Sequence, residues 1–248
     1  MILAYDGTDF RGWAKQLGVR TVEGVLEDAV ERILRERPSL SVAGRTDAGV
    51  HAEGQEASFA ATRAVDPSRI QRAVNGMLGP EVVVVRASRA PSTFDARRSA
   101  TGREYRYRID TASVLDPFTA RFAWHRPGQL DVEAMRRAAE LLIGEHDFAS
   151  FCRAPKLPAS TVRTLRELTV TVRGRHIVIN AKADSFLHQM VRSLVGTLVA
   201  VGEGKMDPES MPAILDSRDR SAAGPIAPPQ GLSLVRVTYG APRGELVG

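Results

Sequence analysis

The sequence predicts an α+β fold of two ferredoxin/RRM-like halves, with antiparallel sheets joined edge to edge around a central cleft. Three observations carry this expectation. Residues 1 to about 86 read β-α-β-β-α-β, the order of the split βαβ arrangement, with helices on one face of an antiparallel sheet. From Ser99 onward the same order of strand, helix, two strands, helix and strand recurs with longer loops. A chain of 248 residues is also long enough for two ordinary domains and buries roughly 70 to 75 % of its unfolded surface on folding. The halves are expected at residues 1–98 and 99–248.

The apolar run Ile2 to Tyr5, closed by Asp6-Gly7, predicts a first strand. Val22, Val25, Leu26, Ala29, Val30, Ile33 and Leu34 recur at helical spacing behind Thr21, an N-cap residue, and Pro38 ends that helix. Leu40 to Ala43 and Gln55 to Ala60 form the two middle strands. Asp66-Pro67-Ser68 opens a second helix that carries Ile70, Ala73, Val74 and Met77 on one face, and Val82 to Val85 is a buried strand.

In the second half, Arg103 to Ile109 alternates. Arg103, Tyr105, Tyr107 and Ile109 share one face, and Glu104, Arg106 and Arg108 share the other. A helix starts at Asp131 and stops at Gly144, and residues 145–158 read as an irregular loop. Leu165 to Val172 and His176 to Ala183 form a hairpin across Arg173-Gly174-Arg175. From Ala183 the chain reads as a long apolar helix through Val201, interrupted by Arg192, whose guanidinium needs a carboxylate partner if it is buried. Leu232 to Tyr239 is the last strand, and 240–248 a tail.

Composition narrows the function class. Hydrophobic residues at 43 % and charged residues at 25 % describe an ordinary globular chain, not a disordered one. The net charge of +5, a pI near 9.8 and an excess of Arg over Lys suit a phosphate-rich partner, because guanidinium binds phosphate bidentately. Cys152 is the single cysteine, which excludes an intramolecular disulfide and argues against a cysteine-based zinc site. No stretch approaches the ~18 apolar residues of a membrane span, and the N-terminus lacks a signal-peptide pattern, so a cytoplasmic protein is expected.

The candidate chemistry centres on Ala43-Gly44-Arg45-Thr46-Asp47-Ala48-Gly49-Val50-His51-Ala52, which joins the two middle strands. Two readings of this turn are open. Asp47 either caps nearby backbone N–H groups in an Asx-turn, or is a carboxylate delivered into a site, with Arg45 two residues away on the same side. The Phe10, Arg11, Trp13, Lys15 and Gln16 loop either stacks on bases and holds phosphates, or pins itself to the core. Five arginines between Arg97 and Arg108 extend the basic surface, or simply face solvent at a sheet edge.

Taken together, Gly44-Arg45-Thr46-Asp47-Ala48-Gly49-Val50-His51, Tyr5-Asp6-Gly7 with Gly12-Trp13, Arg103-Glu104-Tyr105-Arg106-Tyr107 and Phe186-Leu187-His188-Gln189-Met190-Val191-Arg192 resemble the tRNA pseudouridine synthase A family over nearly the whole chain. The resemblance implies an isomerase without metal or other cofactor, which detaches uracil from C1′ of a uridine and rejoins it through C5 in a catalytic cleft. Asp47 is then the essential aspartate, acting at C6 of the base or at C1′ of the sugar; the sequence leaves both open. Tyr105 takes the place of the active-site tyrosine on the flipped base, and Arg192 that of the arginine pairing with the aspartate. Arg45 fills the space of the displaced base, and Leu232 lines an apolar wall. Arg11, Trp13, His51, Arg103 and His188 are candidate RNA contacts. The implied substrate is a uridine at position 38, 39 or 40 of the tRNA anticodon arm, and the implied assembly a homodimer. Glu104 departs from the basic residue expected before Tyr105. A non-catalytic RNA-binding protein and a nucleoside glycosidase are the competing classes; the first lacks a clear RNP1 pattern, and the second needs another acid at the site.

Overall fold

The computed structural model describes residues 1–154 and 157–240. The fold is α+β, with strands β1 (Ile2–Tyr5), β2 (Ser41–Val42), β3 (His51–Ser58), β4 (Val82–Arg86), β5 (Ala100–Asp110), β6 (Trp124–His125), β7 (Gly144–Asp147), β8 (Val162–Arg173), β9 (His176–Ala183) and β10 (Leu232–Tyr239). The helices are α1 (Val22–Leu34), α2 (Pro67–Leu78), α3 (Val132–Glu140), α4 (Met190–Gly202) and α5 (Met211–Ser217). Two compact units share the chain: Met1–Arg103 with the residues from Leu234 onward, and Glu104–Ser233. The chain leaves the first unit within β5 and returns to it within β10. The division follows Arg103, whereas the second half is expected from residue 99.

The first unit has the expected β-α-β-β-α-β order, with strands arranged β4-β1-β3-β10. β1 runs antiparallel to both β3 and β4, with Leu3 opposite Gln55, and β2 pairs with the far end of β3. Thr21 caps α1 by accepting the Gly24 N–H at 3.3 Å, and the apolar stripe of that helix is buried through Val22, Leu26, Ala29, Val30 and Leu34. Asp66 caps α2, which packs against α1 and β4. On β4, Asn75 behaves like an extra strand residue: its Oδ1 accepts from Val84 N at 2.7 Å and its Nδ2 donates to Val84 O at 3.1 Å. A sheet edge is thereby covered by a helix.

In the second unit the order is β5-β9-β8-β7, with β6 parallel to β5. β8 and β9 pair antiparallel from Leu165↔Ala183 to Arg173↔His176, across the turn Gly174-Arg175, within the stretch 173–175 expected to hold it. α3, capped by Asp131, packs on β8 and on α4, whose residues are buried from end to end except Arg192. Tyr105, Tyr107 and Ile109 are buried, with Glu104, Arg106 and Arg108 on the other face, as the alternation predicts.

Two expectations are corrected here. The segment after Gly144 is not irregular throughout: 144–147 is a strand paired with β8, and Ala149–Phe151 is a 3-10 turn. Residues 155 and 156 of that segment lie outside the described residues, as do 241–248 of the expected tail. The apolar helix also does not begin at Ala183. That residue ends β9, and α4 starts at Met190 after Gln189, whose φ of +58° is left-handed. Helical backbone cannot continue through such a residue. Arg192 thus occupies the first turn of the helix, where a polar side chain can leave an apolar core.

Candidate active site

The turn between β2 and β3 is held from beneath by buried polar groups. Thr46 is buried between exposed Arg45 and partly buried Asp47, so its side chain points inward and its two neighbours outward. Its Oγ1 lies 2.8 Å from the Tyr5 hydroxyl at the end of β1. Gln55, on β3, has no exposed surface; its Nε2 donates to the Gly44 carbonyl at 2.6 Å and to the Tyr5 hydroxyl at 3.3 Å. Both amide hydrogens are therefore used. Burial pushes the Tyr5 hydroxyl up to about 12, against the pull of Thr46 and Gln55, so the phenol stays protonated.

Backbone contacts complete the clamp. Trp13 N donates to Thr46 O at 2.9 Å, Gly49 N to Phe10 O at 3.3 Å and Val50 N to Asp47 O at 3.1 Å. Gly12, at φ +93°, lies so close that a Cβ would stand 2.9 Å from Thr46 O and 3.2 Å from Asp47 C. A Cβ on Gly7 would stand 2.0 Å from Val50 O. The two N-terminal motifs thus serve the turn that carries Asp47, a relation visible only in three dimensions.

The other predicted residues of this unit fall as follows. Arg11 is exposed. Trp13 is fully buried and tilted against Tyr5, with ring centroids 6.1 Å apart, so it supports the turn and offers no stacking face to a base. His51 is buried as well; its Nδ1 lies 3.0 Å from Gly7 N and 3.2 Å from Asp6 Oδ1. Arg103 points its Nε and Nη2 at the Ala43 carbonyl, at 3.2 and 2.8 Å, and braces the start of the turn. These contacts tie Trp13, His51 and Arg103 to the turn and its flanks.

In the second unit Tyr105 is 9 % exposed and meets Phe186 edge-on, with centroids 5.2 Å apart and planes at 90°. Arg192 is fixed by the strap that crosses the start of α4: its Nε donates to Ala227 O at 2.8 Å, and Ala227 N donates to Arg192 O at 3.0 Å. Tyr107 donates to Pro228 O at 2.8 Å on the same strap, and burial raises its hydroxyl well above the ordinary range, against the pull of Arg192. A guanidinium held through Nε has a fixed plane, as bidentate recognition of an anion requires. Leu232 is buried at the start of β10, and His188 is exposed just before α4.

Tyr5, Thr46 and Gln55 escaped the sequence reading as site residues. Gln55 did carry a signal, because a polar amide stands at a core position of an otherwise small and apolar alternation.

A family model described as tRNA pseudouridine synthase matches residues 1–97 and 138–240. The chain belongs to the tRNA pseudouridine synthase A family. It is 43 % identical over 240 residues to tRNA pseudouridine synthase A of Methylobacterium nodulans, covering 96 % of this chain and 94 % of that one. It is 45 % identical to that of Rhizobium meliloti over 242 residues, covering 96 and 98 %. For Frankia casuarinae the identity is 48 % over 242 residues, covering 96 and 87 %. A member of this family is an isomerase that converts uridine to pseudouridine in tRNA. No helix among the described residues is long and apolar enough to cross a membrane.

Proposed function

We propose that this pseudouridine synthase acts on the anticodon arm of tRNA, at positions 38, 39 and 40, through Asp47 and a base turned out of its stack. The observation that supports this most is the clamped Asp47 turn. A carboxylate held at fixed geometry by buried bonds on both sides is what an aspartate acting in place requires. Tyr105 and Arg192 take the roles that their motif positions give them in the family: a ring and hydroxyl for the flipped base, and a cation that favours the ionised aspartate. Arg45 and Leu232 belong to the same reading, with exposed Arg11 and His188 as RNA contacts. The enzyme works in the cytoplasm as a homodimer.

The chemistry balances without a redox partner. The C1′–N1 bond breaks, a C1′–C5 bond forms, the C5 proton leaves and N1 gains one, so no electron or group is supplied from outside. A carboxylate serves as covalent nucleophile or as counter-charge to a cationic sugar. The test is tritium release from C5-labelled uridine in tRNA, with mapping of the modified positions. Wild type releases tritium from positions 38–40, and Asp47→Asn lowers the rate by about three orders of magnitude or more, the usual scale for loss of an essential group. Full activity of Asp47→Asn, or modification confined to another arm, would refute the reading.

A further inference from the structure

Arg153, Arg163 and Arg220, all of the second unit, have no carboxylate partner among the described residues. Arg153 follows the 3-10 turn Ala149–Phe151, which packs against a second such turn, Arg220–Ala222, and Arg163 stands at the start of β8. Arg220 donates Nη1 to Ala223 O at 3.2 Å and Nη2 to Gly224 O at 2.8 Å. Arg163 donates Nη1 to Ser160 O at 3.2 Å and Val162 O at 2.6 Å. In both, the Nε–H is buried with no acceptor. The nearest carboxylate in sequence, Asp219, is turned onto Ser221, accepting from its N at 2.9 Å and its Oγ at 2.5 Å.

Packing of the two 3-10 turns brings Arg153 near Arg220, and Phe148 N, which donates to Thr161 O at 3.0 Å, brings the start of β8 to the first of those turns. Burial and then the charge of Arg153 push the Arg220 guanidinium down from its ordinary value. Burial raises the Cys152 thiol, while the His188 backbone and the Arg163 charge pull the other way, so Arg163 and His188 border the same residue. Arg153 N donates to His188 O at 3.1 Å, and the His188 ring bonds back to Arg153 O. Like charges gathered with unmade donors are unfavourable. An anion at this spot relieves the repulsion between them, and a guanidinium binds the oxygens of a phosphate.

We propose that Arg153, Arg163 and Arg220 form a phosphate site that grips a backbone phosphodiester of the substrate tRNA. The proposal rests on the tRNA reading above. Arg153 is exposed and meets the RNA first, while Arg163 and Arg220, partly buried, form the floor. Contacts of this kind position the substrate and carry no base specificity.

The test is filter binding of an unmodified tRNA transcript across a KCl series. Arg153→Gln weakens binding about five- to tenfold and lowers the salt slope by about 1, and Arg153→Gln with Arg220→Gln lowers it by about 2. Arg173→Gln, at the far end of β8 and roughly 35 Å along the strand, keeps the wild-type Kd. If the double variant melts early, the single change at exposed Arg153 still decides. Wild-type affinity and slope in a folded Arg153→Gln protein would overturn the site. Tritium release by wild type, run in parallel, separates the cases: an active enzyme with unchanged Arg153→Gln binding loses only the phosphate site, whereas an inactive enzyme refutes the tRNA reading itself.

Discussion

The side-chain amide of Gln55 donates to the Gly44 carbonyl at 2.6 Å from a position with no exposed surface. The same nitrogen reaches the Tyr5 hydroxyl, which is bonded in turn to Thr46. The backbone before Arg45 and the side chain before Asp47 are thus tied to one buried polar cluster. Groups of this kind are costly to leave unpaired, so the cluster holds one geometry.

Gln55→Leu removes two of these bonds and takes away the donor of the Gly44 carbonyl. Stability should fall by about 1–3 kcal/mol in urea unfolding, and kcat by about tenfold or more, with little change in KM for tRNA. Thr46→Val should behave alike and Thr46→Ser should restore the rate, because the hydroxyl returns. Wild-type kcat in both Gln55→Leu and Thr46→Val would show that the turn keeps its shape without the cluster.

Gly7 has no room for a side chain. An added Cβ meets the Val50 carbonyl at 2.0 Å, and the obstacle is backbone that leads directly from the Asp47 turn. Gly7→Ala should therefore cost more than about 2 kcal/mol and lower kcat together with it, since the clash can be relieved only by moving the turn. Measured melting and turnover close to wild type would contradict the close approach.

The Tyr5 hydroxyl gives alkaline pH a defined effect. Its folded pKa is raised from 10.0 to about 12, so its contribution is complete below pH 10 and is lost as pH rises from 10 towards 12. That loss is about 3 kcal/mol for a shift of two units. Buried Tyr107 and partly buried Tyr239 are raised too and add to the same fall. Between pH 10 and 12 the urea midpoint of Tyr5→Phe should decline less steeply than that of wild type; identical slopes would remove Tyr5 from the account.

Arg103 separates bracing from RNA contact. Because its Nε and Nη2 reach the Ala43 carbonyl, Arg103→Gln should lower stability by about 1–2 kcal/mol and reduce kcat, while the salt slope of tRNA binding stays as in wild type. A slope lowered by about 1 would return Arg103 to the phosphate contacts.

Local signals were read directly. Thr21 before a helical stripe and Asp66-Pro67 before another located α1 and α2, because caps and periodicity involve residues within a turn or two of each other. The alternation of Arg103 to Ile109 gave the buried face of β5 for the same reason. The start of α4 was not legible: residues 184–189 contain no Gly or Pro to stop a helix, and only the pairing of β9 with β8 and the left-handed Gln189 exclude one. Strand β7 was hidden likewise, because its four residues acquire meaning only against Val162–Leu165.

The sequence by itself determined the α+β order, the family through its ordered motifs, and Asp47 as the residue on which the proposed chemistry turns. Tertiary structure decided what holds that residue. Tyr5 and Thr46 are 41 positions apart and Arg103 and Ala43 are 60 apart, so no local window contains either bond. It also buried Trp13 and His51 against the turn, since burial is a property of the packed chain. The physical reason is common to both: propensity and capping act between neighbours, whereas the partner of a buried polar group is chosen by the fold.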